Sequence, residues 1–290
     1  MRIAFASGKG GVGKTTLAVN TAFNLAKSGK PCIYVDCDVE EPNGHLYLSP
    51  AIEQERDVTV LVPRSIKGKC DGCGECQKAC RFKSILSLDD SVMVFDELCH
   101  SCGACLIACP KDALEEISRP IGLLRRGHSD GLSFMDAMLN IGEARATPLI
   151  TELWKEEKNT EPEETVIIAD APPGATCPTM EAIKHSDFLL LVTEPTPFGL
   201  HDLKVVHGLA KKLSIDTGVV INRSDLGDDR IQDYCSKEGL DILAEIPYDP
   251  ELAAAGAQGR VIVTENTETG RNMSKVVNAI MDRAKAGSEP

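Results

Sequence analysis

A chain of 290 residues, 42% of them apolar, can bury one full-sized core, and its formal charge of −13 sets the average field against nucleic acid and anionic membranes. No apolar run approaches the roughly eighteen residues of a bilayer-crossing helix. The opening Met1–Ala6 lacks the length of a secretory signal, and the polar tail from Arg283 to Pro290 has no large apolar face. The expectation is a cytoplasmic protein with no stable membrane anchor and no nucleic-acid partner, whose twelve cysteines are metal ligands more naturally than disulfides.

Residues 2–6 read as a buried strand, followed by a glycine loop over 7–16 and a helix on which Leu17, Ala18, Ala22, Leu25 and Ala26 recur at helical spacing. Cys32–Val35 forms a second strand ending at Asp36, so a parallel pair joined by a crossover helix is expected. From about 64 to 117 the chain turns cysteine-rich. Its short apolar pieces, Ile85–Leu88 and Val92–Phe95, read as hairpin strands with too little apolar material for a core without metal ties.

Residues 118–146 bridge back to the large domain, and Ser133–Leu139 within them reads as a partly buried segment of helical character. A helix near 147–157 carries the sole tryptophan, Trp154, as an anchor to the core. Strands at 166–169, 188–192, 218–221 and 241–245 then alternate with helices near 200–213, 228–238, 250–258 and 271–285. Near-continuous apolar strands separated by helices predict an α/β fold, a mostly parallel sheet with helices on both faces. Residues 1–63 and 118–290 make the large domain, and 64–117 the insert.

Gly8-Lys9-Gly10-Gly11-Val12-Gly13-Lys14-Thr15 is a complete GxxxxGKT motif between a strand and a helix. Its backbone N–H groups can surround phosphate oxygens, Lys14 can reach the β- and γ-phosphates, and Thr15 offers a hydroxyl to Mg²⁺. Thr16 serves phosphate contact or capping equally well. Asp170 ends a strand at the sheet edge where open α/β folds bind ligands and can hold Mg²⁺ through water, with the Gly174 N–H placed to sense the γ-phosphate. Asp36 and Asp38 end the second strand at the same edge, where they can bond turn amides or orient water.

Lys9, early in this loop, makes the motif resemble the deviant Walker A sequence of the MinD/ParA ATPases, a group that includes nitrogenase iron proteins and Mrp-type iron–sulfur carriers. The resemblance implies binding of ATP/ADP with Mg²⁺, ATP hydrolysis and a nucleotide-dependent homodimer in which Lys9 reaches the opposite subunit while Lys14 acts within its own. It assigns water positioning to Asp38, the magnesium-linked switch to Asp170, and adenine contacts to Asn222 and the Pro247-Tyr248-Asp249 loop.

Cys70, Cys73, Cys76 and Cys80, then Cys99, Cys102, Cys105 and Cys109, both follow C-x₂-C-x₂-C-x₃-C. The duplicated spacing favours iron–sulfur ligation over two zinc S₄ sites. It resembles a bacterial two-cluster ferredoxin, which implies two [4Fe-4S] clusters with crossed ligation: Cys70, Cys73 and Cys76 with Cys109, and Cys99, Cys102 and Cys105 with Cys80. Arg81 stands where that pattern has proline, whereas Pro110 retains it. Cys32, Cys37 and Cys235 read as packed residues, as does Cys177, although its place beyond Asp170 would let it answer the switch. His100 reads as an exposed or supporting residue, and His185, His201 and His207 as ordinary packing or solvent residues.

Three functions follow: an ATPase gating electron transfer with a redox or iron–sulfur client, an iron–sulfur carrier ATPase, and a positioning ATPase with redox-sensing clusters. The first uses both chemistries most fully.

Overall fold

The computed structural model describes residues 1–158, 165–262 and 268–286. The expectation for the polar tail falls largely outside them. The elements in chain order are β1 (Arg2–Ala6), α1 (Lys14–Lys27), β2 (Cys32–Asp36), α2 (Gly44–Leu48), β3 (Ala51–Ser65), α3 (Glu75–Ala79), β4 (Ile85–Ser87), β5 (Val92–Val94), α4 (Ala104–Ile107), β6 (Leu114–Ser129), β7 (Leu132–Leu139) and α5 (Ala146–Lys158). They continue with β8 (Val166–Asp170), α6 (Cys177–Ile183), β9 (Phe188–Thr193), α7 (Pro197–Leu213), β10 (Asp216–Asn222), α8 (Arg230–Glu238), β11 (Asp241–Ile246), α9 (Pro250–Ala257) and α10 (Glu268–Ala286). Among the described residues no helix is long and apolar enough to cross a membrane.

Among the described residues, nine strands form one sheet in the order β11-β10-β9-β1-β8-β2-β7-β6-β3. Every pairing from β11 to β7 is parallel, and β6 and β3 extend that edge antiparallel. Alternate strand residues face two separate cores, as the two-residue period of a strand requires. Ile3, Phe5 and Tyr34 pack with α1 and α10, whereas Ala4, Ala6 and Val35 pack with α5, α6, α7 and α8. Trp154 is buried in the second core, anchoring α5 as expected.

The bridging stretch departs from the sequence reading. Residues 114–139 are two strands, β6 and β7, and Ser133–Leu139 is strand rather than helix, paired in parallel with β2. Leu132 and Phe134 enter one core while Met135 and Ala137 enter the other. Burial of both faces erases the polar alternation that distinguishes a strand from a helix. The hairpin turns through Asp130 and Gly131, at φ 49° and 82°, which is the two-residue type I′ geometry.

The short helices α2 and α6 were not expected either, and neither was β3. Its first half pairs with the part of β6 that also pairs with β7, while Thr59–Ser65 and Leu114–Pro120 continue alone as a two-stranded ribbon leaving the sheet. A register shift after Val58 leaves Ile121 out of the β3 ladder, a bulge that bends the ribbon where it departs. The ribbon carries residues 66–113 at its end, and the expected junctions at 63/64 and 117/118 fall inside it.

Leu149 of α5 is fully buried against this edge, where a Cβ on Gly122 would meet its side chain at 2.7 Å. Leu149→Ala should lower unfolding stability by about 2–5 kcal/mol, the range for truncating a buried leucine. Urea denaturation followed by Trp154 fluorescence measures it. An unchanged midpoint would mean that α5 is not packed as described.

Candidate nucleotide site and cysteine cavities

β1 delivers the chain into the loop at Ser7, and α1 begins at Lys14, so the motif has its expected strand–loop–helix setting. Gly11 and Gly13 take φ of 81° and 91°, a region costly for side chains. A Cβ at Gly13 would also lie 2.5 Å from the Asn222 amide nitrogen. Gly8 has another task, since a Cβ there would collide with Asp202 of α7.

A cavity of about 420 Å³ opens above the loop. Lys9, Gly10, Gly11, Gly13, Lys14, Thr15 and Thr16 line it with Asp38, Asn222, Tyr248 and Asp249. Gly8, Val12, Asp170 and Pro247 are not on its wall. Arg223, Tyr47 and Asn43 also line it, residues for which the sequence offered no motif. Tyr47 is reached through the hydroxyl of Thr16, 3.1 Å away.

Beneath the loop the Lys14 ammonium contacts the Asp170 carboxylate, and both side chains are buried. The Tyr34 hydroxyl donates to the second Asp170 oxygen at 3.1 Å. Burial, with Asp170 and Asp36 nearby, pushes the Tyr34 phenol well above its ordinary range and keeps it a donor. Asp36, fully buried, accepts backbone N–H bonds from Asp38, Asn43 and Gly44 at 3.1, 3.0 and 2.8 Å, shaping the loop that presents Asp38. Asp38 reaches the cavity with its carboxyl raised to about 6, through burial first and Asp170 in addition, against the opposing pull of Lys14.

Several expected contacts have present partners. The Gly174 N–H, expected to face the γ-phosphate, donates to the Ser7 carbonyl at 2.8 Å. Asn222 donates its amide to the Val12 carbonyl at 2.8 Å and so braces the phosphate loop from β10. Asp249 caps α9, accepting from Glu251 and Leu252. Lys9 lies 3.2 Å from Glu194, which also holds Arg223.

The insert repeats itself in backbone shape. Gly72 and Ser101 both take left-handed φ, as do Gly74 and Gly103, placing Cys76 and Cys105 at the second positions of α3 and α4. Lys83 and Asp112, each three residues beyond the last cysteine of its run, take φ 55° and 46°. The next residues, Ser84 and Ala113, donate N–H to the sulfurs of Cys80 and Cys109 at 3.4 and 3.3 Å. Arg81 therefore leaves this turn unchanged, although proline occupies the matching Pro110.

One cavity is lined by Cys70, Cys73, Cys76 and Cys109, and a second by Cys80, Cys99, Cys102 and Cys105. His100 stacks on Phe82 beside the second, with ring centroids 3.7 Å apart. No disulfide ties these cysteines together. Among the described residues, no group of three His, Cys, Asp or Glu side chains is arranged to hold a single metal ion. Cys32, Cys37 and Cys235 are buried, but Cys177 is exposed at the start of α6 rather than packed. His207 packs in α7 with Nδ1 2.8 Å from the Tyr234 hydroxyl, and His185 meets Trp154 edge-on.

A phosphate loop at the end of β1, in a parallel sheet covered on both faces, defines a P-loop nucleotide-binding fold. The family model described as the CobQ/CobB/MinD/ParA nucleotide binding domain matches residues 3–262, and the chain belongs to this family, whose MinD/ParA branch comprises ATPases. An uncharacterized protein of Methanocaldococcus jannaschii is 30% identical over 269 residues, 92% of this chain and 93% of its own. An iron–sulfur cluster carrier protein of Methanococcus maripaludis is 24% identical, across 98% of this chain and 85% of its own. The crystal structure of the cell division ATPase MinD from Pyrococcus furiosus shares the fold, with TM-score 0.61 and 20% identity over 97% of this chain and 98% of that one.

Asp170→Ala would leave Lys14 without its carboxylate partner in a buried position. A loss of about 3–5 kcal/mol is expected, the range for breaking a buried ion pair by removing one member. Chemical denaturation without nucleotide should register it; wild-type stability would mean that water compensates Lys14.

Proposed function

We propose that this chain is an ATP-hydrolysing iron–sulfur protein in which the nucleotide state controls electron transfer to a client protein. The observation that carries the reading is the gathering of eight cysteines into two four-thiol cavities on a ribbon continuous with the sheet that holds the phosphate loop. Two groups of four thiols, each with an N–H bond to one sulfur, fit two [4Fe-4S] clusters in the crossed ligand arrangement. When bound, such clusters supply one-electron transfer, with a partner donor and acceptor completing the balance.

At the nucleotide site, the loop N–H groups and Lys14 hold the β- and γ-phosphates, and Thr15 and Asp170 serve Mg²⁺, directly or through water. Asp38 orients water toward the γ-phosphorus. The new P–O bond forms as the bond to the bridging oxygen breaks, leaving ADP and phosphate. Two chains close around the nucleotide, and Lys9 leaves Glu194 to reach the opposite active site. Adenine lies toward Asn222, Tyr248 and Asp249.

The whole-length similarity to an iron–sulfur cluster carrier protein favours a second reading, ATP-dependent cluster delivery. Incubation with a cluster-free acceptor distinguishes the two. Retained iron with electron exchange supports the first, whereas iron and sulfide moving together to the acceptor supports the second.

Anaerobically prepared protein should contain iron and sulfide in equal amounts, enough for two cubes. Cys109→Ala should abolish the spectroscopic signal of one cube. A preparation without sulfide would contradict the cluster assignment. Asp38→Asn should cut ATP turnover about 100-fold or more while ADP affinity stays within a few-fold. Unchanged turnover would remove Asp38 from the chemistry.

A further inference from the structure

The two cysteine cavities have unequal surroundings. The cavity of Cys80, Cys99, Cys102 and Cys105 touches Leu61, Pro63 and Glu116 along the ribbon, whereas the other meets it only at Leu114, its far end. The nearer cavity is also bonded from the large domain: Arg145, just before α5, donates a guanidinium N–H to the Cys99 carbonyl.

Arg145 is fixed from behind. Its Nε and Nη2 bond the Glu143 carboxylate at 2.8 and 3.2 Å, and its backbone N–H reaches the same carboxylate at 3.0 Å. Glu143 is nearly fully buried and also accepts from Arg119 of β6. A planar guanidinium can satisfy this carboxylate with two nitrogens and reach Cys99 with the third, which an ammonium group cannot do.

The same segment is tied to the nucleotide site. Leu139, which ends β7, donates its N–H at 2.9 Å to the carbonyl of Val39, the residue after Asp38. Asn140 donates to Ile121 at the ribbon bulge, also at 2.9 Å, and Glu143 donates to Asn140 at 3.0 Å. Any displacement of the Asp38–Val39 loop thus acts on the β7–α5 connection through direct hydrogen bonds. That connection includes Arg145, whose side chain bonds the Cys99 carbonyl.

We propose that Arg145 is a positioning residue that passes the nucleotide state from the Asp38–Val39 loop to the Cys99 segment of the nearer cysteine cavity. The inference rests on the iron–sulfur reading only where it concerns potentials. A second guanidinium, Arg64, lies beside Cys99 and is held bidentate by Asp96 at 2.9 and 2.6 Å. At the distal cavity, by contrast, Lys111 and Asp71 form an exposed pair at 3.6 Å. Arg64–Asp96 and Lys111–Asp71 are each neutral overall, whereas Arg119 and Arg145 share the single carboxylate of Glu143, so the surplus positive charge lies at the nearer cavity, where it would raise the reduction potential of a bound cluster.

The test compares wild type with Arg145→Gln and Arg145→Lys. In cluster-free protein, iodoacetamide labelling of Cys99, a buried thiol, is timed by mass spectrometry with and without ATP-Mg²⁺. A nucleotide-dependent change in wild type that disappears in both variants, with nucleotide affinity retained, is the expected result. The same change persisting in both variants overturns the proposal, as does its absence in wild type. In anaerobic redox titrations of loaded protein, Arg145→Gln should lower one of two potentials and leave the other in place; equal shifts or none overturn the assignment of Arg145 to the nearer site. Wild-type protein that holds no iron refutes the iron–sulfur reading, and the labelling result still decides the role of Arg145.

Discussion

Three carboxylates side by side, Asp170, Asp36 and Asp136 on β8, β2 and β7, are the constraint around which this edge of the sheet is organised. All three are fully buried. Carboxylates buried at that density need dedicated partners, because each unpaired ion costs several kcal/mol, and burial, with Asp170 beside it, pushes the Asp36 carboxyl well above its ordinary range. Each partner comes from a different element: Lys14 from the phosphate loop, backbone N–H groups of residues 38–44 for Asp36, and Arg125 of β6 for Asp136. Compensating the row therefore joins the phosphate loop, the Asp38 loop and the base of the ribbon into one unit.

That union gives the ribbon its significance. Had the insert hung from two flexible linkers, events at the phosphate site would have had little purchase on it. Instead β6 is a sheet strand along one half and a ribbon strand along the other, with the bulge at Ile121 between them. The Asn140 N–H closes on the carbonyl of that bulged residue. A strand hydrogen-bonded into the sheet along one half and into the ribbon along the other is suited to carrying small displacements from one site to another, as packed structures do in switching proteins.

The parallel half of the fold was legible because its signals are local. A strand, a GxxxxGKT loop and a helix fit within thirty residues, and Lys14, Thr15 and Asp170 declare themselves by motif and by position at strand ends. The duplicated cysteine spacing marked the two runs, and the crossed sets that line the two cavities were implied only by the resemblance to a two-cluster ferredoxin. β3 and β7 were not recognised. β7 hides its alternation between two cores, and β3 pairs with residues 49 to 77 positions away in the chain, although the Asp130-Gly131 turn between β6 and β7 was a readable signal. Tyr34, Glu194 and Arg145 had no motif at all, since their roles arise from partners distant in sequence. Gly174 and Cys177 show the reverse limit: position beyond Asp170 did not foretell a bond to Ser7 or an exposed thiol.

In the proposed coupling, nucleotide binding is felt beyond the cavity, along β7 and into the ribbon. Amide hydrogen exchange with and without ATP-Mg²⁺, read by mass spectrometry, reports each of these segments. Altered exchange is expected in residues 8–16 and 36–44 and also in 139–145 and 96–105. Changes confined to the first two segments would contradict the coupling.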